Sequence, residues 1–402
     1  MTPLLPEGTA PQARLLLLGR ALRALVDGFV AVLLPAYLLA VGFTTWQVGL
    51  LSTTTLLGSA LLTLAVGAWG HRVDSCRLLL AAGLLMTTTG LAFAGLSAFW
   101  PLLLVAFVGT INPGSGDVSV FLPLEHARLA HAAQGEARTL LFARYSMAGA
   151  LFAAIGALAA GVPAWLAAHV GLEPLPALRG MFVLYAAVGV GVWLLYLRLP
   201  KAHESPQPPA APLGPSRRNV VKLAALFSID AFAGGLVVNT LLALWLFQRF
   251  DLSPGTVGLF FFGAGLLAAA SLLAAPHVAR RIGLLNTMVF THIPSSMFLM
   301  LAAFAPSPHL ALGLLLARAA LSQMDVPTRS AYVMAVVTPP ERTAAASFTA
   351  VPRSLAAALG PTLAGAMLGA GWLALPLLAC GALKISYDLA LLATFRRVRL
   401  PR

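Results

Sequence analysis

Residues 22–41 read LRALVDGFVAVLLPAYLLAV, and residues 222–247 read KLAALFSIDAFAGGLVVNTLLALWLF. Each stretch is long and apolar enough to cross a bilayer as a helix. Each carries one aspartate, Asp27 or Asp230, and the two stand 203 positions apart. A second pair, Asp117 and Asp325, lies 208 positions apart in two further apolar stretches. An ionised carboxylate in hydrocarbon costs at least ~2.5 kcal/mol, so such residues persist where they face a cavity or a partner. Two of them repeated half a chain apart point to a duplicated helical bundle with a polar path through its middle, as in secondary transporters.

Composition agrees outward from these stretches. The chain is 59% hydrophobic and 10% charged, with a mean hydropathy of +0.88, which places it among integral membrane proteins of many helices. Apolar periodicity predicts twelve spans, near 22–41, 47–69, 78–98, 101–123, 140–161, 178–198, 222–247, 254–276, 284–305, 309–332, 344–369 and 373–395. A net charge of +13 could suggest nucleic acid, but the cations are scattered into short connections. That scatter reads as topology, with some contact to anionic lipid head groups. Arg72, Arg77, Arg138, Arg217, Arg218, Arg280, Arg281 and Arg342 fall on one side, against Arg179 and Arg249 on the other. Both termini are therefore expected in the cytoplasm. The Pro-rich segment 200–219 reads as a linker between a first half, 1–199, and a second half, 220–402.

The repeat extends beyond the aspartates. Gln47-Val48-Gly49-Leu50 at the start of the second span matches Thr256-Val257-Gly258-Leu259 at the start of the eighth. Glu136-Ala137-Arg138-Thr139 has its counterpart in Glu341-Arg342-Thr343. Equal numbers of spans per half make these parallel repeats.

Between the second and third spans stands Gly67-Ala68-Trp69-Gly70-His71-Arg72-Val73-Asp74-Ser75-Cys76-Arg77, and the eleventh span carries Gly360-Pro361-Thr362. With the twelve spans and the duplication, the chain resembles the major facilitator superfamily along essentially its whole length. In that family's loop motif Gly67 and Arg72 match, Arg77 takes the place of the trailing basic pair, and His71 replaces the usual Asp. Asp74 stands at the second Gly, so the gate-latching carboxylate is displaced by three positions. The resemblance implies an all-α fold of two six-helix halves, with the first and fourth helices of each half lining a central cavity. All four aspartates fall on those helices.

Each polar residue has a functional and a structural reading. Asp27 either pairs with Arg23 or Arg20 on its own helix or meets a substrate cation. Asp117 is expected to pair with Arg144, and Asp325 with Arg329 or Arg353. Asp230, with Lys222 as its nearest helical cation, is the expected proton carrier, because an unpaired buried carboxyl titrates near neutrality. Arg318, Tyr37, Asn112, Asn239, Thr240 and Gln323 could bind a substrate or simply join helices. Lys384 and Asp388, four apart, are expected to neutralise one another. His292 is read as structural, for want of carboxylates near it in sequence. Asn112-Pro113-Gly114-Ser115-Gly116 should interrupt the fourth span, which is tolerable only beside a cavity or buried in protein. The loops carrying Arg72, Asp74, Arg77, Glu136, Arg138, Arg280, Arg281, Glu341 and Arg342 are expected to form the inner gate.

No nucleotide fingerprint, catalytic triad or metal spacing occurs, so no enzyme activity or cofactor is expected. The expected activity is proton-coupled export of a drug-like compound or metabolite. Its partners are then a small-molecule substrate, protons and the lipid bilayer, with no nucleic acid, and the chain is a monomer. An uptake permease, or a non-transporting sensor or assembly partner of the same fold, is the alternative. The excess of Arg over Lys suggests a GC-rich bacterial genome and hence a bacterial inner membrane.

Overall fold

The computed structural model describes residues 9–69, 73–114, 119–133, 135–200 and 213–396, apart from the side chains of 131, 135, 136, 139, 339 and 343. The described residues form α1 (Gln12–Val41), α2 (Thr45–Trp69), α3 (Ser75–Gly95), α4 (Phe99–Val108), α5 (Phe121–Ala132), α6 (Gly135–Leu158), α7 (Val162–Val170) and α8 (Pro174–Tyr196). They continue with α9 (Arg217–Gly235), α10 (Asn239–Phe250), α11 (Pro254–Ile282), α12 (Leu284–Ala303), α13 (Pro308–Ser322), α14 (Asp325–Val336), α15 (Arg342–Gly369) and α16 (Leu375–Phe395).

Ten stretches among the described residues are long and apolar enough to cross a membrane. The expected fourth span is broken between α4 and α5. The expected eleventh is α15, whose 28 residues reach about 42 Å at 1.5 Å each, although it is the more polar for Arg353. The expected linker is shorter than 200–219, because α9 already begins at Arg217.

Helix ends follow local chemistry. Gly42, with φ of 102°, closes α1 by donating its N–H to the carbonyls of Leu38 and Leu39. Ser253 caps α11 by accepting from the Thr256 N–H. Three crossings are interrupted: between α4 and α5, between α9 and α10, and between α13 and α14. The first break was expected at Pro113 and Gly114, where Asn112 Oδ1 accepts the Gly114 N–H at 2.9 Å.

Lipid tails give helices little hydrophobic reason to associate, so small residues set the seams. Gly28 on α1 and Gly156 on α6 each lie against the other's helix backbone, without room for a methyl group. Gly235 on α9 and Gly360 on α15 repeat that seam in the second group of helices. Across the groups, Gly49 on α2 seats on Pro361 and Gly365 of α15, while Gly258 on α11 seats on Ala157 of α6. The glycines of the duplicated Val-Gly-Leu sequence are thus the ones that carry the two cross-group seams. A hydrogen bond from the Thr362 N–H to Thr53 Oγ1 (3.0 Å) reinforces the first, and beside it Gln248 Nε2 of α10 donates to Thr45 Oγ1 of α2 (3.0 Å). Both seams lie at the end of the bundle opposite the chain termini.

Most buried apolar side chains belong to one core that runs through both groups, while a second core of Val220, Leu223, Phe227, Met288, Tyr332, Tyr387 and Phe395 lies at the terminus side of α9, α12, α14 and α16.

Candidate functional site

A cavity of about 710 Å³ separates the two groups. It is lined by Arg20, Gly28 and Ala31 of α1, by α6 from Leu140 to Ala157, by Asn239 and Leu242 of α10, by α11 from Phe260 to Leu273, and by Leu315 to Ser330 of α13 and α14. The volume suits a small molecule of drug or metabolite size. Helices α6 and α11, the expected fifth and eighth spans, supply much of the wall alongside the first and fourth helices of each half. The physical reason is that their small residues, among them Gly149, Ala153, Gly265 and Ala268, keep the helices close without filling the space between them. All three helix breaks reach this cavity, through Gly114, Asn239 and Gln323. Irregular backbone at membrane depth is stable in such a place.

Several expected contacts are replaced. Asp230 is not short of cations. It accepts from Lys384 Nζ at 2.6 Å and lies 3.4 Å from Arg329 Nη2 and 3.8 Å from His292 Nε2. Lys384 therefore pairs across helices with Asp230, and Asp388 pairs with His292 Nδ1 at 3.0 Å. Lys384 Nζ also sits 3.3 Å from His292 Nε2. Arg329 pairs with Asp325 one turn away on α14, so Asp325 does not engage Arg353, which makes no ion pair among the described residues. His292, expected to be structural for want of carboxylates near it in sequence, stands between Asp230 and Asp388. The cluster joins α9, α12, α14 and α16, with Asp230, Asp325 and His292 each at most 5% exposed and Asp388 at 0%. Asp325 also occupies the first turn of α14, where the helix dipole favours a carboxylate.

The first group has its own cluster, centred on a residue that the sequence reading missed. Glu125, 0% exposed on α5, accepts from Arg23 of α1 and from the phenols of Tyr145 on α6 and Tyr196 on α8. Arg23 lies 3.9 Å over the Phe121 ring, and Gly19 leaves the space that Tyr196 fills. Asp27 forms no ion pair among the described residues, because Arg23 is turned to Glu125 and Arg20 lies over the Tyr145 ring. Glu125 escaped notice because it falls past the expected end of the fourth span at 123. Helix α4 ends at Val108 and α5 begins at Phe121, so buried positions continue past 123 into α5.

The remaining candidates divide plainly. Arg318, Arg144, Asn239 and Gln323 line the cavity. Tyr37 is 0% exposed and donates to the carbonyls of Phe93 and Leu96, so it joins helices. Asn112 is buried in its turn, and Thr240 ties the groups together by donating to the Ala31 and Pro113 carbonyls at 3.1 and 3.0 Å. Asp117 and Arg72 lie outside the described residues, as does the Glu136 side chain. Asp74 acts as the N-cap of α3, accepting from the Cys76 N–H at 2.9 Å, and makes no gate-latching salt bridge among the described residues. Gly67, Arg77, Arg138, Arg280, Arg281 and Arg342 are exposed, and these cations form no ion pair among the described residues. Glu341 is buried beneath the start of α9, taking hydrogen bonds from the Gly214 and Ser216 N–H groups and the Thr338 hydroxyl. Hydrogen bonds from Ser216, Thr338 and Gly214 hold its carboxyl down at about 2.

The comparisons with known proteins agree with this architecture. An uncharacterized membrane protein of Saccharomyces cerevisiae is 26% identical over 93% of this chain and 92% of its own length. Among solved structures, a D-xylose-proton symporter superposes with a TM-score of 0.73 at 14% identity, covering 94% of this chain and 96% of that one. The nucleoside transporter NupG gives 0.72 at 15% identity, over 96% and 99%. A bacterial homolog of the human lysosomal transporter Spinster, inward-facing and unoccupied, gives 0.70 at 16% identity, over 95% and 94%. Residues 16–315 match the Major Facilitator Superfamily profile, so this chain, a multi-pass membrane protein of transporter fold, belongs to that superfamily.

Proposed function

We propose that the chain is a proton-coupled secondary transporter that moves a small molecule by alternating access of its 1–199 and 220–402 halves around the cavity. The observation that carries this reading is the shared ion-pair network of the second-half cluster. Asp230, Asp325 and Asp388 are divided among Arg329, Lys384 and His292, with the Arg353 guanidinium in electrostatic range of Asp230 and Asp325. His292 bridges Asp388 and Asp230 and sits beside Lys384, which ties α9, α12 and α16 into one network. Low-dielectric surroundings make any unmatched charge costly, so gain or loss of a single proton changes which arrangement of α9, α12, α14 and α16 is favoured. Helix α14 connects this to the substrate path, because Val326, Pro327 and Ser330 line the cavity between and beside Asp325 and Arg329. The structural neighbours include a proton symporter, which supports the assignment by analogy of fold.

With the basic loops in the cytoplasm, the seams close the outer end and the cavity faces inward. The proposed direction is export in exchange for protons, from the cytoplasmic membrane, with the chain acting as a monomer.

The test uses proteoliposomes loaded with a pH-reporting dye and challenged with matched anionic, neutral and cationic aromatic compounds. At least one compound is expected to drive proton movement in the wild type, and His292→Gln and Asp230→Asn should each abolish it while still binding that compound. Transport without proton movement, or undiminished proton flux in both variants, overturns the proposal.

A further inference from the structure

The cavity's chemistry points to the sign of its cargo. Among the described residues its charged lining is entirely cationic: Arg20, Arg144 and Arg318, with no carboxylate. Arg318 is the informative one. It sits on α13 between Leu315 and Ala319, one turn before the helix break, and makes no ion pair among the described residues. A guanidinium does not shed its proton in a protein, so it must be met by a carboxylate, by water or by an anionic guest. The buried aspartates of the second half are already engaged. Asp230 and Asp325 hold Lys384 and Arg329, and Asp388 holds His292. Asn239, Ser322 and Gln323 lie on the same wall and offer neutral hydrogen-bonding groups, whereas Phe261, Leu272 and the alanines of α6 and α11 make the rest apolar.

We infer that the cavity takes an organic anion with an apolar body, its carboxylate or phosphate end held by Arg318. This rests on the transporter reading and reverses the expectation that Asp27 attracts a cationic substrate, since Asp27 is not among the residues that line the cavity. A planar guanidinium fork fits either acid group in a bidentate way, so the two are separated by experiment.

The full-length protein in detergent is titrated by calorimetry with four compounds that share one body: 2-naphthoate, 2-naphthyl phosphate, 2-naphthamide and 2-naphthylmethylammonium. One or both anions should bind, and the amide and ammonium should bind at least tenfold more weakly. Arg318→Gln should weaken the anion at least tenfold and Arg318→Lys less, while Lys222→Gln, an exposed change of equal charge on α9, leaves affinity unchanged. Each variant's melting midpoint without ligand checks that it is folded. Preference for the ammonium, or anion affinity unchanged in Arg318→Gln, overturns the inference. Binding is read without any flux, so Arg318-dependent anion binding with no proton-linked transport would sink the transporter reading and leave the anion site standing.

Discussion

The two halves bury carboxylates in comparable places and satisfy them in opposite ways. In the first half, Glu125 meets one guanidinium and two phenols, so its charge is matched one to one and its remaining lone pairs are filled by neutral donors. In the second half, three carboxylates share two cations and an imidazole. The first arrangement has one satisfied protonation state and holds α1, α5, α6 and α8 as a unit. The second shares its partners, Asp230 lying within reach of Lys384, Arg329 and His292 at once. Duplication therefore yields one half whose buried carboxylate has dedicated partners and one whose carboxylates share theirs.

The comparison breaks most visibly at Glu125. Glu125→Gln leaves Arg23 buried without a counter-ion, and we expect a loss of about 3–5 kcal/mol. The thermal midpoint in detergent reads it, and the double variant Arg23→Leu/Glu125→Leu should recover much of the loss. A midpoint near wild type for Glu125→Gln would mean that the first-half cluster is not the lock described above. Asp388→Asn should cost less, about 1.5 kcal/mol, because it removes a charge-assisted hydrogen bond yet leaves two carboxylates facing two cations. Equal losses from Asp388→Asn and Glu125→Gln would erase the distinction between the halves.

The smallest effect belongs to Glu341, a carboxylate held by hydrogen bonds and by no cation among the described residues. Its folded value of about 2 lies below the ordinary 4.5. The stabilisation is thus fully present above about 4.5 and is lost as pH falls towards 2. Glu341→Gln should flatten the drop in melting midpoint between pH 5 and pH 3 and leave the midpoint's pH dependence above neutrality unchanged. A drop as steep as the wild type's would show that other groups set the acid limit.

Much of the fold could be read from apolar periodicity, and the two copies of Val-Gly-Leu marked the glycines on which the halves meet. The clusters were far less legible. Lys384 and Asp388 sit one helical turn apart, so sequence spacing pairs them, but each reaches to another helix, Lys384 to Asp230 on α9 and Asp388 to His292 on α12. Partners 154 and 96 positions away leave no local signature. Asp230 looked isolated for the same reason. The cavity's cationic lining was legible only in part, because an arginine within a span can face a neighbour as readily as a void, and only packing decides which.

The glycine seams at the far end of the bundle have an electrical meaning. A barrier made of charged latches stays hydrated, and a file of water conducts protons. Gly49 against Gly365 and Gly258 against Ala157 instead press backbone on backbone, with neutral hydrogen bonds from Thr362 and Gln248 beside them. Such a joint carries no fixed charge to draw water between the helices. A change of the voltage across the membrane therefore finds no charged side chain to pull on in the Gly49 and Gly258 contacts themselves.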